Sequence, residues 1–193
     1  YAKAINEAMF QSMKLDKNVI TMGQLIDYKS GVFGTTSGLV EKFGNKRVRD
    51  FPVAESLMTS AAIGATVAGL RVVLVHIRID FLLYSLDAIT NWLSLWRFKS
   101  NNKSSAPVVI RAIVGRGWGQ GPQHSQSLEI LFSHIPGVNV LTPSTPQSVR
   151  GLFNSSFKEK KPTIIFEHRW LHETYGNSPK INYFTKIGKA KIS

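Results

Sequence analysis

The sequence contains no cysteine, few acidic residues and no long apolar run. Without cysteine the chain can form no disulfide, no thiolate nucleophile and no Cys-ligated zinc site. The longest apolar run, 61–70, is interrupted by Gly64 and Thr66 and is too short to span a bilayer. The N-terminus shows no charged-then-apolar signal pattern. These features predict a protein without membrane partners in a reducing compartment, the cytoplasm or, in a eukaryote, the mitochondrial matrix.

The shortage of acid gives the chain a net charge of +12, from 24 Lys and Arg against 12 Asp and Glu. Such a surplus suits nucleic acid or an acidic partner surface. The basic residues are spread along the chain, however, and no arginine-rich run or nucleic-acid motif occurs. We therefore expect no nucleic-acid partner, and attribute the charge to a lysine-rich background or to a missing acidic portion.

Apolar residues alternate along the chain between helical and strand spacing. The predicted helices are 2–14, 55–68, 80–98, 125–134 and 146–158, and the predicted strands are 19–22, 47–50, 71–76, 107–113, 138–141 and 162–167. This alternation predicts one α/β domain over 1–173, a doubly wound, mostly parallel sheet with helices on both faces. Residues 174–193 have no clear core pattern and predict an extended linker.

Ligands of doubly wound sheets bind at the carboxyl ends of the strands. The loops after Met22, Asp50, His76 and Val114 should therefore share one rim.

The side chains predicted near this rim are ambiguous when each is taken alone. Glu55 opens a helix, where an acid ordinarily serves the helix dipole. His124 follows a glycine-rich loop and has a pKa range suited to proton transfer. Phe81 and Tyr84, on the first turn of a helix, would ordinarily be core residues.

Ordered motifs from residue 2 to 170 remove much of this ambiguity. They are GVF at 31–33, RVRDFPVAE at 47–55, AAIGA at 61–65, DF at 80–81, QHSQS at 123–127, HIPG at 134–137 and TPSTP at 142–146. Together they resemble the beta subunit of the decarboxylating component of 2-oxo acid dehydrogenases, the family of pyruvate, branched-chain and acetoin dehydrogenases. The matching part is the pyrimidine-binding domain, which activates thiamine diphosphate.

The resemblance implies a role for each rim residue in oxidative decarboxylation of a 2-oxo acid. Glu55 would hydrogen-bond a ring nitrogen of the cofactor's aminopyrimidine, with Phe81 packed on that ring and Ile77 nearby. His124 would steady the substrate or donate a proton during acyl transfer to lipoamide. Gln24 would face the cofactor. The implied partners are an alpha-type subunit, the lipoyl domain of the acyltransferase component and the 2-oxo acid.

The resemblance also concerns a metal. In some relatives main-chain oxygens near Val108, Ser156 and Phe157 hold a potassium ion, and Glu159 aligns with an acidic residue there. Lys161 replaces a neutral family residue, and its charge opposes a cation at that end of the site.

The sequence departs from the family in three places. Gln24-Leu25 replaces a pair of acids, and an amide cannot exchange a proton between sites. Lys99 to Lys103 replaces a Ser-Gly-Gly turn. No Gly-Asp-Gly magnesium motif occurs, so a partner would have to supply the magnesium–diphosphate half of the site.

The family's beta chain continues into a second α/β domain, and residues 186–193 resemble its lead-in. We therefore expect 174–193 to link to a C-terminal domain absent from this chain, and the chain to be inactive alone. We also expect an apolar rim at Phe81, Trp118 and the 115–121 loop that is mobile until a partner covers it.

Two alternatives remain. The chain could be a non-catalytic assembly or regulatory homologue, or a fragment of another transketolase-like thiamine enzyme. The QHSQS and HIPG motifs argue against the latter.

Overall fold

Six short strands rich in valine and isoleucine form one parallel sheet. They are β1 (Val19–Gly23), β2 (Val48–Asp50), β3 (Arg71–His76), β4 (Val109–Val114), β5 (Asn139–Leu141) and β6 (Thr163–His168). Their order across the sheet is β2-β1-β3-β4-β6-β5, and every neighbouring pair is parallel. The computed structural model describes residues 1–115, 120–177 and 179–190.

Helices connect the strands and cover both faces of the sheet. They are α1 (Ala2–Leu15), α2 (Gly31–Gly34), α3 (Leu39–Phe43), α4 (Glu55–Val67), α5 (Ile79–Leu82), α6 (Trp96–Lys99), α7 (Glu129–Ser133) and α8 (Pro146–Ser156), with 3-10 turns at Leu83–Ser85, Pro122–His124 and Arg169–Glu173 and a π-helix at Ala88–Leu93. In α2 the backbone of Val32 and Phe33 is left-handed, so this segment is a kinked turn. None of the described helices is both long and apolar enough to cross a membrane.

Alternate residues of each central strand point to opposite faces, which divides the core in two. Val72 and Leu74 of β3 belong to the cluster beneath α4, whereas Val73 and Val75 belong to the cluster beneath α1 and α8. Burial on both faces explains why these strands read as nearly continuous apolar runs. The predicted fold class is confirmed.

The prediction of one long helix at 80–98 is wrong in detail. The segment changes its winding from α to 3-10 to π and back to α. Two hydroxyls explain part of the change, because Thr90 Oγ1 donates to the Leu86 carbonyl at 2.6 Å and Ser94 Oγ donates to the Thr90 carbonyl at 2.8 Å. Such bonds to the preceding turn bend a helix. The predicted helix 125–134 is likewise shorter, since only Glu129–Ser133 is α-helical.

The described residues after 173 form no helix or strand and lie along α8. Asn154 donates to the carbonyls of Ile181 and Tyr183 at 3.1 and 2.9 Å, and Ser155 donates to that of Thr185 at 2.7 Å. These bonds attach the segment to the domain. Its assignment as a linker stays a prediction.

One ion pair is fully buried between the sheet and α1. Arg111 of β4 and Glu167 of β6 are both 0% exposed, and Arg111 Nη2 donates to Glu167 Oε2 at 2.8 Å while its Nε donates to the other carboxylate oxygen. Arg111 also contacts the Met9 sulfur, and His172 Nε2 lies 3.5 Å from Glu167 Oε2. Burial by itself raises the pKa of Glu167, but Arg111 outweighs it, so the pKa lies below its ordinary value.

Replacing one partner of this pair should be severe. We expect Arg111→Met to lower the free energy of unfolding by about 3–5 kcal/mol at neutral pH, because Glu167 is left buried and charged. The native pair stabilises the fold above the ordinary pKa of 4.5, and its contribution is lost as the pH falls through the lower folded-state pKa. In Arg111→Met, burial should instead raise the pKa of Glu167, so that this carboxylate becomes protonated and neutral as the pH falls. The decrease in the free energy of unfolding caused by the substitution should therefore become smaller at acidic pH.

Urea unfolding of both proteins across the acidic range would measure this. Arg97→Met, at an exposed arginine, is the matched control. The prediction would be contradicted if Arg111→Met lowered the free energy of unfolding no more than Arg97→Met does. It would also be contradicted if the decrease stayed the same at acidic pH.

Candidate active site

A cleft of about 920 Å³ opens at the carboxyl edge of the sheet. It is lined by residues that follow four strands: Gln24, Val53, Ala54, Glu55, Ser56, Leu57, Ile77, Arg78, Phe81, Tyr84, Gln120 and His124. In the sheet, β2 lies on one side of β1 and β3 lies on the other. The connections that follow β1 and β3 therefore run in opposite directions, and the strand order reverses between these two strands. Ligands of open α/β sheets bind at such a reversal. The predicted rim is therefore the wall of this cleft.

Glu55 enters the cleft as the first residue of α4. The chain turns sharply before it, because the Ala54 amide bonds the Pro52 carbonyl at 2.7 Å. Glu55 is only 7% exposed, and no described residue donates a hydrogen bond to its carboxylate. A buried carboxylate at a helix N-terminus is well placed to accept a hydrogen bond from a ligand.

Gln24 is held in the wall of the cleft by the turn after β1. Gly23 ends that strand so close to β3 that a Cβ there would lie 2.5 Å from the Val75 carbonyl oxygen. The Ile26 amide then donates to Asp50 Oδ1 at 3.0 Å, which ties the turn to the end of β2. Burial raises the pKa of Asp50, and the hydrogen bond from Ile26 partly offsets that effect.

The Gln24 amide nitrogen has no described partner. It is buried in the cleft wall without a hydrogen bond to any of the described residues. A buried donor left unsatisfied costs about 1–3 kcal/mol. A ligand with an acceptor atom at this wall would recover that cost.

Phe81 and His124 contact each other in the lining of the cleft. Their rings pack edge to face, with centroids 5.3 Å apart and an interplanar angle of 85°. His124 ends the 3-10 turn after β4, and its Nδ1 lies 3.1 Å from the Gln120 carbonyl oxygen. Ile77, at the end of β3, lines the wall nearby. The cleft thus contains all five rim residues to which the sequence assigned a role.

A second histidine lies behind the cleft and is neutral. His76 is 1% exposed, and burial lowers its pKa to about 3. Its Nε2 lies 3.3 Å from Oγ1 of Thr59, one turn along α4 from Glu55. Thr59 in turn donates to Ser85 Oγ at 2.8 Å. This neutral chain of contacts joins α4 to the segment that carries Phe81.

The sequence reasoning missed Arg78 and Gln120. Both line the cleft, and Arg78 Nη2 donates to Gln120 Oε1 at 2.9 Å. Burial lowers the pKa of Arg78, and nearby Asp80 partly opposes that effect. Arg78 directly follows Ile77 at a strand end, so the rim rule could have found it. The expectation that Tyr84 belongs to the core is wrong, since it is 71% exposed at the cleft edge.

Trp118 lies outside the described residues, as does the rest of 116–119. The expected rim at the 115–121 loop therefore stays a prediction.

The residues implied for potassium lie away from this cleft. The Val108 carbonyl accepts a hydrogen bond from the Thr163 amide at 3.0 Å, and that of Phe157 accepts one from the Arg71 guanidinium. A guanidinium at one oxygen and Lys161 in the following loop oppose a bound cation. Among the described residues, no three His, Cys, Asp or Glu side chains are placed to hold a metal. These residues fit potassium poorly, and the site stays a prediction.

Comparison with known proteins gives a consistent result. The family model described as transketolase, pyrimidine binding domain, matches residues 1–173. The 2-oxoisovalerate dehydrogenase subunit beta of Bacillus subtilis (strain 168) is 37% identical over 100% of this chain and 59% of that protein. The acetoin:2,6-dichlorophenolindophenol oxidoreductase subunit beta of Cupriavidus necator is 40% identical over 98% of this chain and 59% of that protein. The pyruvate dehydrogenase E1 component subunit beta of Gracilaria tenuistipitata var. liui is 34% identical over 98% and 58%.

A solved structure described as split gene transketolase, inactive beta4 tetramer, superimposes on 95% of this chain and 55% of that one, with a TM-score of 0.74. At 16% identity this likeness shows the fold alone. This chain spans about 59% of the length of the first two curated relatives. Since the family model matches all but the last 20 residues, the chain belongs to the transketolase pyrimidine-binding domain family.

Proposed function

We propose that this chain is the thiamine-diphosphate-activating half of a 2-oxo acid dehydrogenase, and that an alpha-type subunit completes its active site. The reaction is oxidative decarboxylation of a 2-oxo acid, with transfer of the acyl group to the lipoyl domain of an acyltransferase. The observation that carries the proposal is the cleft itself, which brings Glu55, Gln24, Phe81 and His124 together at the topological reversal of the sheet.

The cleft residues fit the cofactor's aminopyrimidine ring. Such a ring offers flat faces and nitrogen atoms that donate or accept hydrogen bonds. Phe81 supplies an aromatic contact, Glu55 a buried carboxylate and Gln24 a buried amide donor without a described partner. When bound, thiamine diphosphate supplies an electron sink for the carbon that loses carbon dioxide.

Glu55 would hold a proton at the ring nitrogen that the bound cofactor presents to it. The low exposure of the carboxylate, 7%, would hold that proton in a fixed direction, and a partner that covers the exposed Val53 and Leu57 would exclude competing water.

His124 also lines the cleft, and it has a separate role in the proposed reaction. It is half-buried, which leaves one side of its ring open to a substrate. The edge contact with Phe81 limits ring rotation, so Nε2, the ring nitrogen that does not face the Gln120 carbonyl, is held in one direction. This suits a group that steadies a 2-oxo acid or donates a proton during acyl transfer.

The open side of the cleft supports an alpha-type partner. Val53, Leu57 and Tyr84 at its edge are 83%, 58% and 71% exposed, although they are large apolar side chains. A contiguous exposed apolar patch commonly marks an interaction surface. The sequence also lacks a Gly-Asp-Gly motif, so the magnesium–diphosphate half of the site is assigned to the partner.

The alternatives receive less support. The likeness to a transketolase extends to the fold alone, whereas the sequence relatives at 34–40% identity are beta subunits of dehydrogenases and of the acetoin oxidoreductase. Gln24, in place of an acid, still provides a hydrogen-bond donor at the cleft wall, so its presence does not require a non-catalytic role.

The role of Glu55 is testable in a complex with the alpha-type subunit. We expect Glu55→Gln to lower decarboxylation turnover by about 10²–10⁴-fold, the scale for losing a positioned proton-transfer group. The fold should persist, because a first-turn acid contributes only about 0.3–1 kcal/mol through the helix dipole. The matched control is Glu129→Gln, which removes a first-turn acid from α7 outside the cleft. Near-normal turnover of Glu55→Gln would refute the assignment.

The dependence on a partner is testable by calorimetry and light scattering. We expect the chain alone to bind thiamine diphosphate and magnesium weakly or not at all and to lack decarboxylase activity, because the proposal assigns the diphosphate contacts to the partner. It should be a monomer or weak homodimer alone, and form a stable hetero-oligomer with a co-expressed alpha-type subunit. Tight magnesium-dependent binding by the chain alone would contradict the first expectation. A tight homodimer without affinity for any alpha-type chain would favour the non-catalytic alternative.

A further inference from the structure

His124 lies in a short loop, residues 120–126. Charged side chains from the segment after β3 form hydrogen bonds to the first and the last residue of this loop. We propose that Arg78 and Asp80 are positioning residues, which fix the orientation and the protonated nitrogen of His124. The proposal rests on the function proposed above for His124. It deepens that function by naming two residues that act through the histidine and not on the substrate.

Arg78 fastens the first end of the loop. Its Nη2 donates to Gln120 Oε1 at 2.9 Å, and its Nη1 donates to the Ile77 carbonyl at 3.2 Å. The guanidinium also lies 5.2 Å from the centre of the Phe33 ring. Because Arg78 is only 6% exposed, these contacts hold the guanidinium in one place. Gln120, although exposed, is therefore tied to a fixed part of the fold.

Asp80 fastens the second end. Its Oδ1 accepts a hydrogen bond from the Gln126 amide at 3.1 Å, across 46 positions of the sequence. Asp80 is 5% exposed, and its Oδ2 is buried without a partner among the described residues. Hydrogen bonds to charged groups are stronger than those between neutral groups. The bond from the Gln126 amide is therefore an important stabilising contact of this buried carboxylate.

The fastened loop determines which ring nitrogen of His124 carries the proton. Nδ1 lies 3.1 Å from the Gln120 carbonyl oxygen, and a carbonyl can only accept. This hydrogen bond therefore requires a proton on Nδ1, and the neutral ring keeps Nε2 as its acceptor. Gln120 is thus the shared element, because its side chain is held by Arg78 while its main chain selects the tautomer of His124.

Nuclear magnetic resonance of the whole chain with ¹⁵N-labelled histidine tests the tautomer. The His124 signals are identified by their loss in His124→Gln. We expect the wild-type ring to show the Nδ1–H form, and Arg78→Met to show an average of both neutral forms. Arg78→Lys keeps a donor at this position and should restore the Nδ1–H form in part. Arg97→Met is the matched control and should leave the spectrum unchanged, because Arg97 is an exposed residue of α6 and bonds Asn102 in the turn that follows that helix.

Hydrogen exchange at the Gln126 amide tests the other end. Asp80→Asn should speed exchange there by about 10- to 100-fold, the scale of a lost charge-assisted hydrogen bond. Asp87→Asn is the matched control, because Asp87 is an exposed acid that bonds only Asn91 among the described residues. Circular dichroism and urea unfolding show whether each variant is folded. If Arg78→Met is unfolded, Gln120→Ala takes its place, because it removes the same hydrogen bond from an exposed residue; if Asp80→Asn is unfolded, Asp80→Glu takes its place.

Turnover in the complex with the alpha-type subunit separates this proposal from the one it rests on. We expect Arg78→Met and Asp80→Asn to lower turnover about 10-fold or more and to shift its pH profile, with no such change in the two controls. An unchanged tautomer together with unchanged Gln126 exchange would overturn the positioning proposal. If tautomer and exchange change while His124→Gln retains full turnover, positioning is supported and the proposed role of His124 fails.

Discussion

The parallel arrangement of the six strands is the constraint on which the rest of this structure depends. Parallel strands all end at the same edge, so residues distant in sequence, such as Gln24, Glu55 and His124, are brought to one rim. The reversal of topology between β1 and β3 then opens a gap at that rim, because the connections from these strands leave in opposite directions. Gly23 keeps the two strands close below the gap, where a side chain would collide with the Val75 carbonyl. The cleft follows from topology, and only its chemistry depends on individual side chains.

Buried charged residues have different structural roles in the core and at the rim of the sheet. Arg111 and Glu167 are buried together beneath α1, where two hydrogen bonds compensate the desolvation of both charges. At the rim, Arg78 and Asp80 are nearly as buried, and each forms a hydrogen bond to the short loop that carries His124. Buried charge thus stabilises the sheet in the first case. In the second it fixes a segment that has little apolar packing of its own.

The sequence predicted the sheet well, because β-branched runs such as 71–76 are buried on both faces and leave a strong signal. It predicted the long helix poorly, since the Thr90 and Ser94 hydroxyls change the winding through hydrogen bonds that periodicity does not reveal. Glu55 and His124 came from the resemblance, because either residue alone is equally typical of a helix end or a surface loop. Arg78 and Gln120 were missed, since their contact spans 42 positions and depends on the folded rim. Local sequence patterns therefore predicted the strands and the position of the rim, whereas the contacts between distant rim residues were visible only in the folded structure.

The composition of the cleft agrees with half of a cofactor site. Its wall offers an aromatic ring, an amide, a carboxylate and apolar side chains, which together suit recognition of a neutral heteroaromatic ring. A diphosphate has different requirements, because its negative charge must be neutralised by a metal ion, which oxygen ligands hold in place. Arg78, a cation at this wall, donates to Gln120 and lies against Phe33, so it is engaged in holding the loop. On the proposed function, the two halves of the cofactor therefore call for two chemically different surfaces, and dividing them between two subunits makes assembly a condition of activity.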